Sequence, residues 1–399
     1  MEKKIGKSAK LLIVSDLFYS LTSLFSDTFL VAYFLKITNE SISKIAIYYI
    51  IVFIMLCTGN VILGKIIKTH PSKAKSIMCI GMIVKAIFIL SIVILGDNIS
   101  NYYVCIAIFY GISESLYWCS HELIYIDVTN NKNRQNYMSI KKILSKIIKI
   151  VFPIILGTSI ELYSFTKIAI YVFALTVVQI IVALCIKTNI QNNKKSTYNL
   201  KKLFKYIKEN KLEKVKAYNL SAIAYGIVES SISTLIVIIT IMTFKTSFSL
   251  GVLTTIFNIF AMISLMLYNK YYNKNTAKRI LGLCSIIMVI GVVGLLVDIN
   301  RITLIIYNFC YIITFSIFDA VYNTRKGDLV KECKLQEYRE EYIGYTSIGI
   351  GSGRIIGYIL MLLVSFANNI VWFKVLLAIV TLFAPAYCYL NVKSLKDKK

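Results

Sequence analysis

Residues 280–297 read ILGLCSIIMVIGVVGLLV, eighteen positions without a charged side chain, between Lys278–Arg279 and Asp298. A helix of that length spans about 27 Å, close to the roughly 30 Å hydrocarbon core of a bilayer. Similar runs recur along all 399 residues, of which 57% are hydrophobic and 16% charged. The sequence therefore predicts a polytopic membrane protein and excludes a soluble enzyme, a disordered chain and a disulfide scaffold.

Apolar runs bounded by charges predict an all-α integral membrane protein with twelve transmembrane helices, numbered below as predicted helices 1 to 12. Strands are excluded because the runs are too long for them. The predicted ranges are 11–35, 43–63, 77–96, 102–126, 140–162, 165–186, 217–244, 247–268, 280–298, 302–325, 342–365 and 370–391.

The formal net charge of +25 comes from short basic clusters in alternate loops, not from a basic stripe on a soluble domain. No nucleic-acid partner is therefore predicted. By the positive-inside rule these loops and both termini are cytoplasmic. The cytoplasmic set comprises Lys3, Lys4, Lys7, Lys10, Lys65, Lys68, Lys73, Lys75, Lys132, Arg134, Lys141, Lys142, the basic residues of 187–216, Lys270, Lys274, Lys278, Arg279, those of 325–339, Lys393, Lys396, Lys398 and Lys399.

The chain lacks the usual signatures of metal, cofactor and nucleotide sites. Its nine cysteines include no C-x-x-C pair, and all but Cys333 fall in apolar runs. No H-E-x-x-H, G-x-S-x-G or P-loop sequence occurs. We therefore predict no metal, no cofactor, no catalytic residue and no ATP-driven step.

Residues 187–216 form the one sizeable polar segment and divide the chain into halves of six helices, 1–186 and 217–399. From Leu200 onward its apolar residues recur at helical spacing among lysines, which is typical of a basic amphipathic helix on the inner leaflet. A solvated linker that obeys the topology rule explains the same pattern equally well.

The two halves show an internal repeat at an offset of 205 residues. The most informative matches are the acid of predicted helix 4 with that of helix 10 and the base of helix 5 with that of helix 11, because charges inside a membrane are scarce. The matched pairs are Lys73/Lys278, Glu114/Asp319, Tyr117/Tyr322, Arg134/Arg339, Tyr137/Tyr342 and Lys149/Arg354.

Over nearly its full length the chain resembles the major facilitator superfamily of transporters. The resemblance rests on the helix count, the two halves, the central loop and the basic loops after predicted helices 2 and 8. The family's G-x-x-x-D-[RK]-x-G-[RK]-[RK] motif is partly present as Gly64-Lys65-Ile66-Ile67-Lys68-Thr69-His70-Pro71-Ser72-Lys73. A drug-antiporter motif is reduced to Pro153-Ile154-Ile155-Leu156-Gly157. The resemblance implies alternating access around a central site.

Ionisable residues inside the predicted helices are the candidate site, because each costs about 2.5–3.5 kcal/mol at a helix centre and needs a partner or a wet cavity. Asp16, Ser20, Ser23 and Asp27 share one stripe of predicted helix 1, which predicts a wall facing water or substrate. The candidate substrate and coupling residues are Asp16, Asp27, Glu114, Trp118, His121, Lys146, Lys149, Glu229, Asp319 and Arg354.

Two ion pairs are predicted from residues equidistant from a helical turn, Glu114 with Lys149 and Asp319 with Arg354, each in at least one state of a transport cycle. Lys85 receives less weight because its helix is peripheral in the resembled family. Asp27 and Glu229 are the predicted proton carriers, since a carboxylate in an apolar wall loads and releases a proton as its surroundings change.

Together these features predict a secondary transporter of the bacterial cell membrane, monomeric and in contact with lipids, that moves a small solute with protons. Asp27, Glu114, Glu229 and nearby aromatic residues favour efflux of hydrophobic or cationic compounds. Lys146, Lys149 and Arg354 favour an anionic solute. A membrane-embedded lipid enzyme and a non-transporting receptor or assembly protein are the alternatives from other classes.

Overall fold

The computed structural model describes residues 6–38, 41–129, 133–190, 198–271, 276–367 and 370–395. The following residues of the topology prediction lie outside these ranges: Lys3, Lys4, Lys132, Lys194, Lys195, Lys274, Lys396, Lys398 and Lys399. Within the described ranges the regular structure is helical throughout, without a strand.

The helices follow the predicted apolar runs closely. In chain order they are α1 (Lys7–Leu24), a π-helical turn (Phe25–Phe29), α2 (Leu30–Ile37), α3 (Ile42–Thr69), α4 (Ala74–Leu95), α5 (Tyr103–Val128), α6 (Arg134–Tyr163), α7 (Phe165–Leu184), α8 (Leu200–Glu209), α9 (Glu213–Phe244), α10 (Ser247–Tyr271), α11 (Ala277–Val297), α12 (Arg301–Glu332), α13 (Arg339–Ala367) and α14 (Ile370–Leu395). Short 3₁₀ turns at Pro71–Lys73 and Gly96–Asn101 flank α4.

Within the described ranges, eleven helical segments are long and apolar enough to cross a membrane. The predicted helix that is not among them is α5, whose 26 residues include Glu114, Glu122 and Asp127. At 1.5 Å per residue α5 is about 39 Å long, sufficient for a crossing. A polytopic membrane protein is therefore established, and the count of twelve stays a prediction.

The helices divide into two compact units. Unit 1 comprises residues 1–40, 54–198 and 246–255, and unit 2 comprises residues 41–53, 199–245 and 256–399. In unit 1, α1 packs against α5, α6 and α7, and α4 packs against α5 and α7. In unit 2, α9 is the central helix, in contact with α12, α13 and α14. The candidate residues lie chiefly on α1 and α5 in unit 1 and on α9, α12 and α13 in unit 2.

Small residues set the close approach of α9 to α13 in unit 2. A Cβ atom at Gly353 would collide with the carbonyl oxygen of Ile223, and one at Gly226 would collide with that of Ile350. Small residues at helix interfaces let backbones approach closely in membranes, where burial of apolar side chains drives association only weakly. This packing holds the Arg354 backbone directly against α9.

Candidate functional site

A buried polar cluster joins α1, α4 and α5 around the carboxylate of Glu114. Tyr19 of α1 donates a hydrogen bond to that carboxylate, and Trp118 Nε1 lies 3.2 Å from Oε2. Lys85 of α4 forms an ion pair with Oε1 at 3.1 Å and also donates to Ser23 Oγ at 2.9 Å. The Lys85 ammonium lies 4.0 Å from the Tyr19 ring centroid, a cation–π contact. The cluster therefore satisfies both buried charges.

A second cluster surrounds Asp16, which is 3% exposed. Its Oδ1 lies 2.8 Å from His121 Nε2 and accepts a hydrogen bond from Tyr117 at 2.7 Å. Its Oδ2 lies 2.7 Å from Lys141 Nζ and accepts from Tyr137 at 3.2 Å. Four donors from α5 and α6 thus converge on one carboxylate of α1, and this is the arrangement that a buried charge requires.

Asp27, which the sequence places on one stripe with Asp16, is more exposed than Asp16. It lies in the π-helical turn Phe25–Phe29, is exposed, and accepts a hydrogen bond from Tyr110 at 2.5 Å. A π turn contains more residues than an α turn and changes the register of the residues that follow. Tyr110 belongs to α5, whose Tyr117 also bonds Asp16, so Asp16 and Asp27 both contact this helix.

In unit 2, the carboxylate of Asp319 on α12 is exposed and hydrogen-bonded to neutral groups. Tyr225 OH of α9 donates to Oδ1 at 2.9 Å, and Asn323 Nδ2 donates to the same oxygen at 2.8 Å. The ring of Tyr225 stacks on Tyr322, with centroids 4.5 Å apart and 3° between the planes. Asp319 is thus accessible to solvent. Within the described ranges, its carboxylate accepts hydrogen bonds from Tyr225 and Asn323.

Glu229 of α9 and Arg354 of α13 form an ion pair in unit 2. Arg354 Nε lies 2.7 Å from Oε2, and Nη2 lies 2.8 Å from Oε1, a bidentate fork. The guanidinium carbon lies 5.0 Å from the Phe53 ring centroid. Side-chain exposures of 20% for Arg354 and 28% for Glu229 show that solvent-accessible space reaches the pair.

The two units contain the same tyrosine–acid–tyrosine arrangement. In unit 1, Tyr19 bonds Glu114 and stacks on Tyr117, with centroids 4.0 Å apart. In unit 2, Tyr225 bonds Asp319 and stacks on Tyr322. The acids and their neighbouring tyrosines are matched by the predicted offset of 205. The cations are not repeated, because Lys85 holds the acid of α5 whereas Arg354 holds an acid of α9.

The predicted ion pairs are therefore not those of this structure. Glu114 pairs with Lys85, while Lys149 lies on an exposed part of α6. Arg354 pairs with Glu229 rather than with Asp319. Distance from a turn fixes the depth of a residue along its helix but not the direction in which its side chain points, and in this state the side chains have other partners. Lys146 of α6 is half-buried.

Some residues of these clusters are not among the candidate site residues of the sequence prediction. Tyr19, Lys141, Tyr110 and Lys85 each contact a candidate acid. Tyr19 lies one turn from Ser23 and three residues from Asp16, so its side chain belongs to the polar side of α1. Lys85 is charged inside an apolar run, a signal that by itself requires a partner or a wet cavity.

Within the described ranges, no group of three or more His, Cys, Asp or Glu side chains is placed to hold a metal ion. The clusters instead bring carboxylates together with tyrosine, lysine, arginine and one histidine. Such groups bind polar solutes and protons by hydrogen bonds and charge.

The sequence profile described as "Major Facilitator Superfamily" matches residues 12–325. The chain belongs to this superfamily and is a multi-pass membrane transporter. No curated protein matches the sequence significantly.

Solved transporter structures share the fold at low sequence identity. The structure of nucleoside transporter NupG has a TM-score of 0.74 at 12% identity, over 98% of this chain and 100% of that one. A bacterial homologue of the iron transporter ferroportin, in an inward-facing state, has a TM-score of 0.70 at 13% identity, over 99% and 100%. A bacterial metal transporter has a TM-score of 0.65 at 12% identity, over 99% and 100%.

Proposed function

We propose that the chain is a secondary active transporter that moves a small organic solute by alternating access and couples this movement to protons. The observation that carries the proposal is the tyrosine-bound acid in each unit, Glu114 in unit 1 and Asp319 in unit 2. In this proposal twelve helices form two six-helix halves, and residues 187–216 connect them.

The retention of intramembrane ion pairs supports a role in the transport cycle. Replacing a buried ion pair by well-packed apolar residues is often neutral or stabilising, so such a pair is weak evidence for stability alone. The Lys85–Glu114 and Arg354–Glu229 pairs each join two different helices. A contact of this kind is suited to form in one state of a cycle and to break in another.

Asp319 is our preferred coupling residue, and Asp27 is the second candidate. Glu229, a proton carrier in the sequence prediction, is instead held by the Arg354 fork. Asp319 is exposed and bonded to Tyr225 and Asn323, which carry no charge. A carboxylate without a fixed cation exchanges protons more readily when its surroundings alternate between wet and dry, because no ion pair has to break.

The charges also bear on the substrate. Arg354, the strongest argument for an anionic solute, is already neutralised by Glu229. Asp27 and Asp319 are exposed carboxylates. We therefore favour a cationic or neutral organic solute. Two of the similar solved structures are a bacterial metal transporter and a homologue of an iron transporter. The described residues contain no cluster of three metal-ligating side chains, so we do not propose a metal ion as the solute.

We also propose that the protein is a monomer of a bacterial cytoplasmic membrane with both termini in the cytoplasm. Support comes from the alternation of basic loops. In this reading the protein has no enzymatic activity, in line with the transporter family to which it belongs.

The proposal is tested by proteoliposomes that contain a pH-sensitive dye and an imposed pH gradient. Adding a panel of organic cations, nucleosides, neutral and anionic solutes should reveal at least one that dissipates the gradient only when the protein is present. Solute-dependent proton flux is the expected result. Solute movement that ignores the pH gradient would overturn proton coupling, and no solute movement in any class would overturn the transport proposal.

A further inference from the structure

The short helix α8 is fixed on the end of α13 by specific contacts within unit 2. Its N-cap Asn199 accepts a hydrogen bond from the Lys202 backbone N–H at 3.1 Å, and the Asn199 N–H donates to Glu341 Oε1 at 3.0 Å. Leu203 and Ile207 are 0% and 3% exposed. The apolar face of α8 is therefore buried in protein and does not itself enter a membrane.

A second face of α8 is exposed and combines three lysines with one aromatic ring. Lys201, Phe204, Lys205 and Lys208 follow the spacing i, i+3, i+4, i+7, which places them on one side of a helix. Phe204 is 49% exposed, and its ring meets Tyr345 of α13 edge-on, with centroids 5.2 Å apart. Lys205 makes one solvent-exposed contact, with Glu209 at 3.6 Å, of a kind that contributes little.

The composition of this face fits one class of partner. A large exposed aromatic ring surrounded by lysines is typical of helices that lie in the headgroup region, where the ring reaches the acyl boundary and the ammonium groups meet anionic lipids. Tyr345 lies near the start of α13, which is one of the membrane-crossing segments. Phe204 is thus held beside a helix that enters the bilayer.

We propose that the face formed by Lys201, Phe204, Lys205 and Lys208 binds the headgroups of anionic phospholipids in the cytoplasmic leaflet, with Phe204 inserted at the acyl boundary. This inference uses the proposed cytoplasmic location of α8, but it is independent of substrate and coupling ion. It differs from the sequence expectation in which the apolar face of an amphipathic helix enters the leaflet, because Leu203 and Ile207 are already covered by protein.

The position of the ring is tested by tryptophan fluorescence in lipid nanodiscs. Phe204→Trp and Lys202→Trp are compared in a background that carries Trp118→Phe and Trp372→Phe. Lys202 is also exposed but lies outside the proposed face. Lipids brominated on their acyl chains should quench Trp at position 204 at least twofold more than at 202. Equal quenching at both positions would overturn the proposal.

The lysines are tested by native mass spectrometry of protein released from mixed phosphatidylglycerol and phosphatidylcholine membranes. Lys201→Gln, Lys205→Gln and Lys208→Gln are combined, and the control combines Lys65→Gln, Lys73→Gln and Lys278→Gln, exposed lysines of other predicted cytoplasmic loops. We expect the preference for retained phosphatidylglycerol to fall about fivefold for each lysine removed from α8. The control set should retain the wild-type preference.

Inorganic phosphate serves as the competing source of the same chemistry. Millimolar phosphate is added to the wild-type protein, and the loss of retained phosphatidylglycerol is compared with the loss caused by the triple Lys→Gln variant. If the two losses are equal, α8 is a phosphate site and the lipid proposal is wrong. A triple variant with wild-type lipid preference would also overturn it. Neither result affects the transport proposal, because proton-coupled solute movement is measured separately.

Discussion

Lys85 and Glu114 form an ion pair inside unit 1, with 3.1 Å between Lys85 Nζ and Glu114 Oε1 and with side-chain exposures of 4% and 11%. Lys85 comes from α4 and Glu114 from α5, and Tyr19 of α1 completes the contact. The base that pairs with Glu114 thus comes from α4, which precedes α5 in the chain, and not from α6, which follows it.

Removing the lysine alone should destabilise the protein strongly. Lys85→Met leaves Glu114 as an unpaired buried charge, at a cost of about 3–5 kcal/mol. The double variant Lys85→Met with Glu114→Gln removes both charges and should be clearly milder. Thermal unfolding in detergent, followed by the midpoint temperature of each variant, measures the difference.

Lys149→Met is the control for this comparison. Its side chain is exposed on α6, where an ionic contact contributes at most about 1 kcal/mol, so the change should cost clearly less than Lys85→Met. If Lys149→Met were as harmful as Lys85→Met, or the double variant no milder than the worse single one, the assigned pair would be incorrect.

The geometry of the Arg354 fork predicts that charge alone does not replace it. Arg354→Lys keeps the positive charge beside Glu229 but cannot form two parallel hydrogen bonds. We expect proteoliposome transport by Arg354→Lys to fall about tenfold, and that by Arg354→Gln to fall further. Equal rates for the two variants would show that the charge on residue 354 has no role.

Helix positions could be predicted from the sequence because membrane thickness fixes the length of apolar runs. The predicted ranges 77–96 and 280–298 correspond to α4 at Ala74–Leu95 and α11 at Ala277–Val297. The acids Glu114 and Asp319 could be recognised in the same way, since a charged residue inside an apolar run is rare. These two features depend only on local sequence.

The partners of the acids could not be predicted in the same way. The base that pairs with Glu114 depends on how α4 packs against α5 and on how each helix is rotated about its axis. The spacing of residues in the sequence does not determine either one. The π turn at Phe25–Phe29, which contains Asp27, likewise has no sequence signature. Tyr19 and Tyr225 lie 206 residues apart, one more than the repeat offset of 205. The comparison of the two halves at 205 therefore does not match this pair.

Close packing of α9 against α13 predicts that Gly353 does not tolerate a methyl group. Gly353→Ala would force the Ile223 carbonyl away and should lower the unfolding temperature by several degrees. Gly282→Ala in α11 is the matched control, because a Cβ there meets no atom within 4 Å. Gly282→Ala should be neutral or slightly stabilising. Equal midpoints for the two variants would contradict the close approach.

The topology prediction is tested by labelling single cysteines in intact cells. Cysteines are introduced on a background without native cysteines at Asn98, in a predicted outer loop, and at Glu209, at the end of α8. An impermeant maleimide added outside should modify position 98 and spare position 209, because basic segments remain in the cytoplasm. Labelling at 209 from outside would overturn the predicted orientation and, with it, the lipid face of α8.

The coupling residue is tested by neutralising the two candidate coupling residues Asp319 and Asp27, each alone. Asp319→Asn and Asp27→Asn remove the group that takes up a proton, while an amide still accepts the hydrogen bonds of Tyr225 and Tyr110. We expect Asp319→Asn to exchange labelled solute for unlabelled solute at near the wild-type rate but to lose at least tenfold in accumulation driven by a pH gradient. Asp27→Asn should lose less.

Asp298→Asn is the matched control, since Asp298 is an exposed acid just beyond α11 and accepts a hydrogen bond from Asn300 at 2.7 Å. It should keep both exchange and accumulation. The separation of the two readouts decides between roles for Asp319, because a group that only binds a cationic solute impairs exchange and accumulation together. If Asp319→Asn lost both equally, the carboxylate would be a substrate contact. If it lost neither, the proton would have to pass through Asp27 or through the clusters around Asp16 and Glu114, whose carboxylates must first leave their cations.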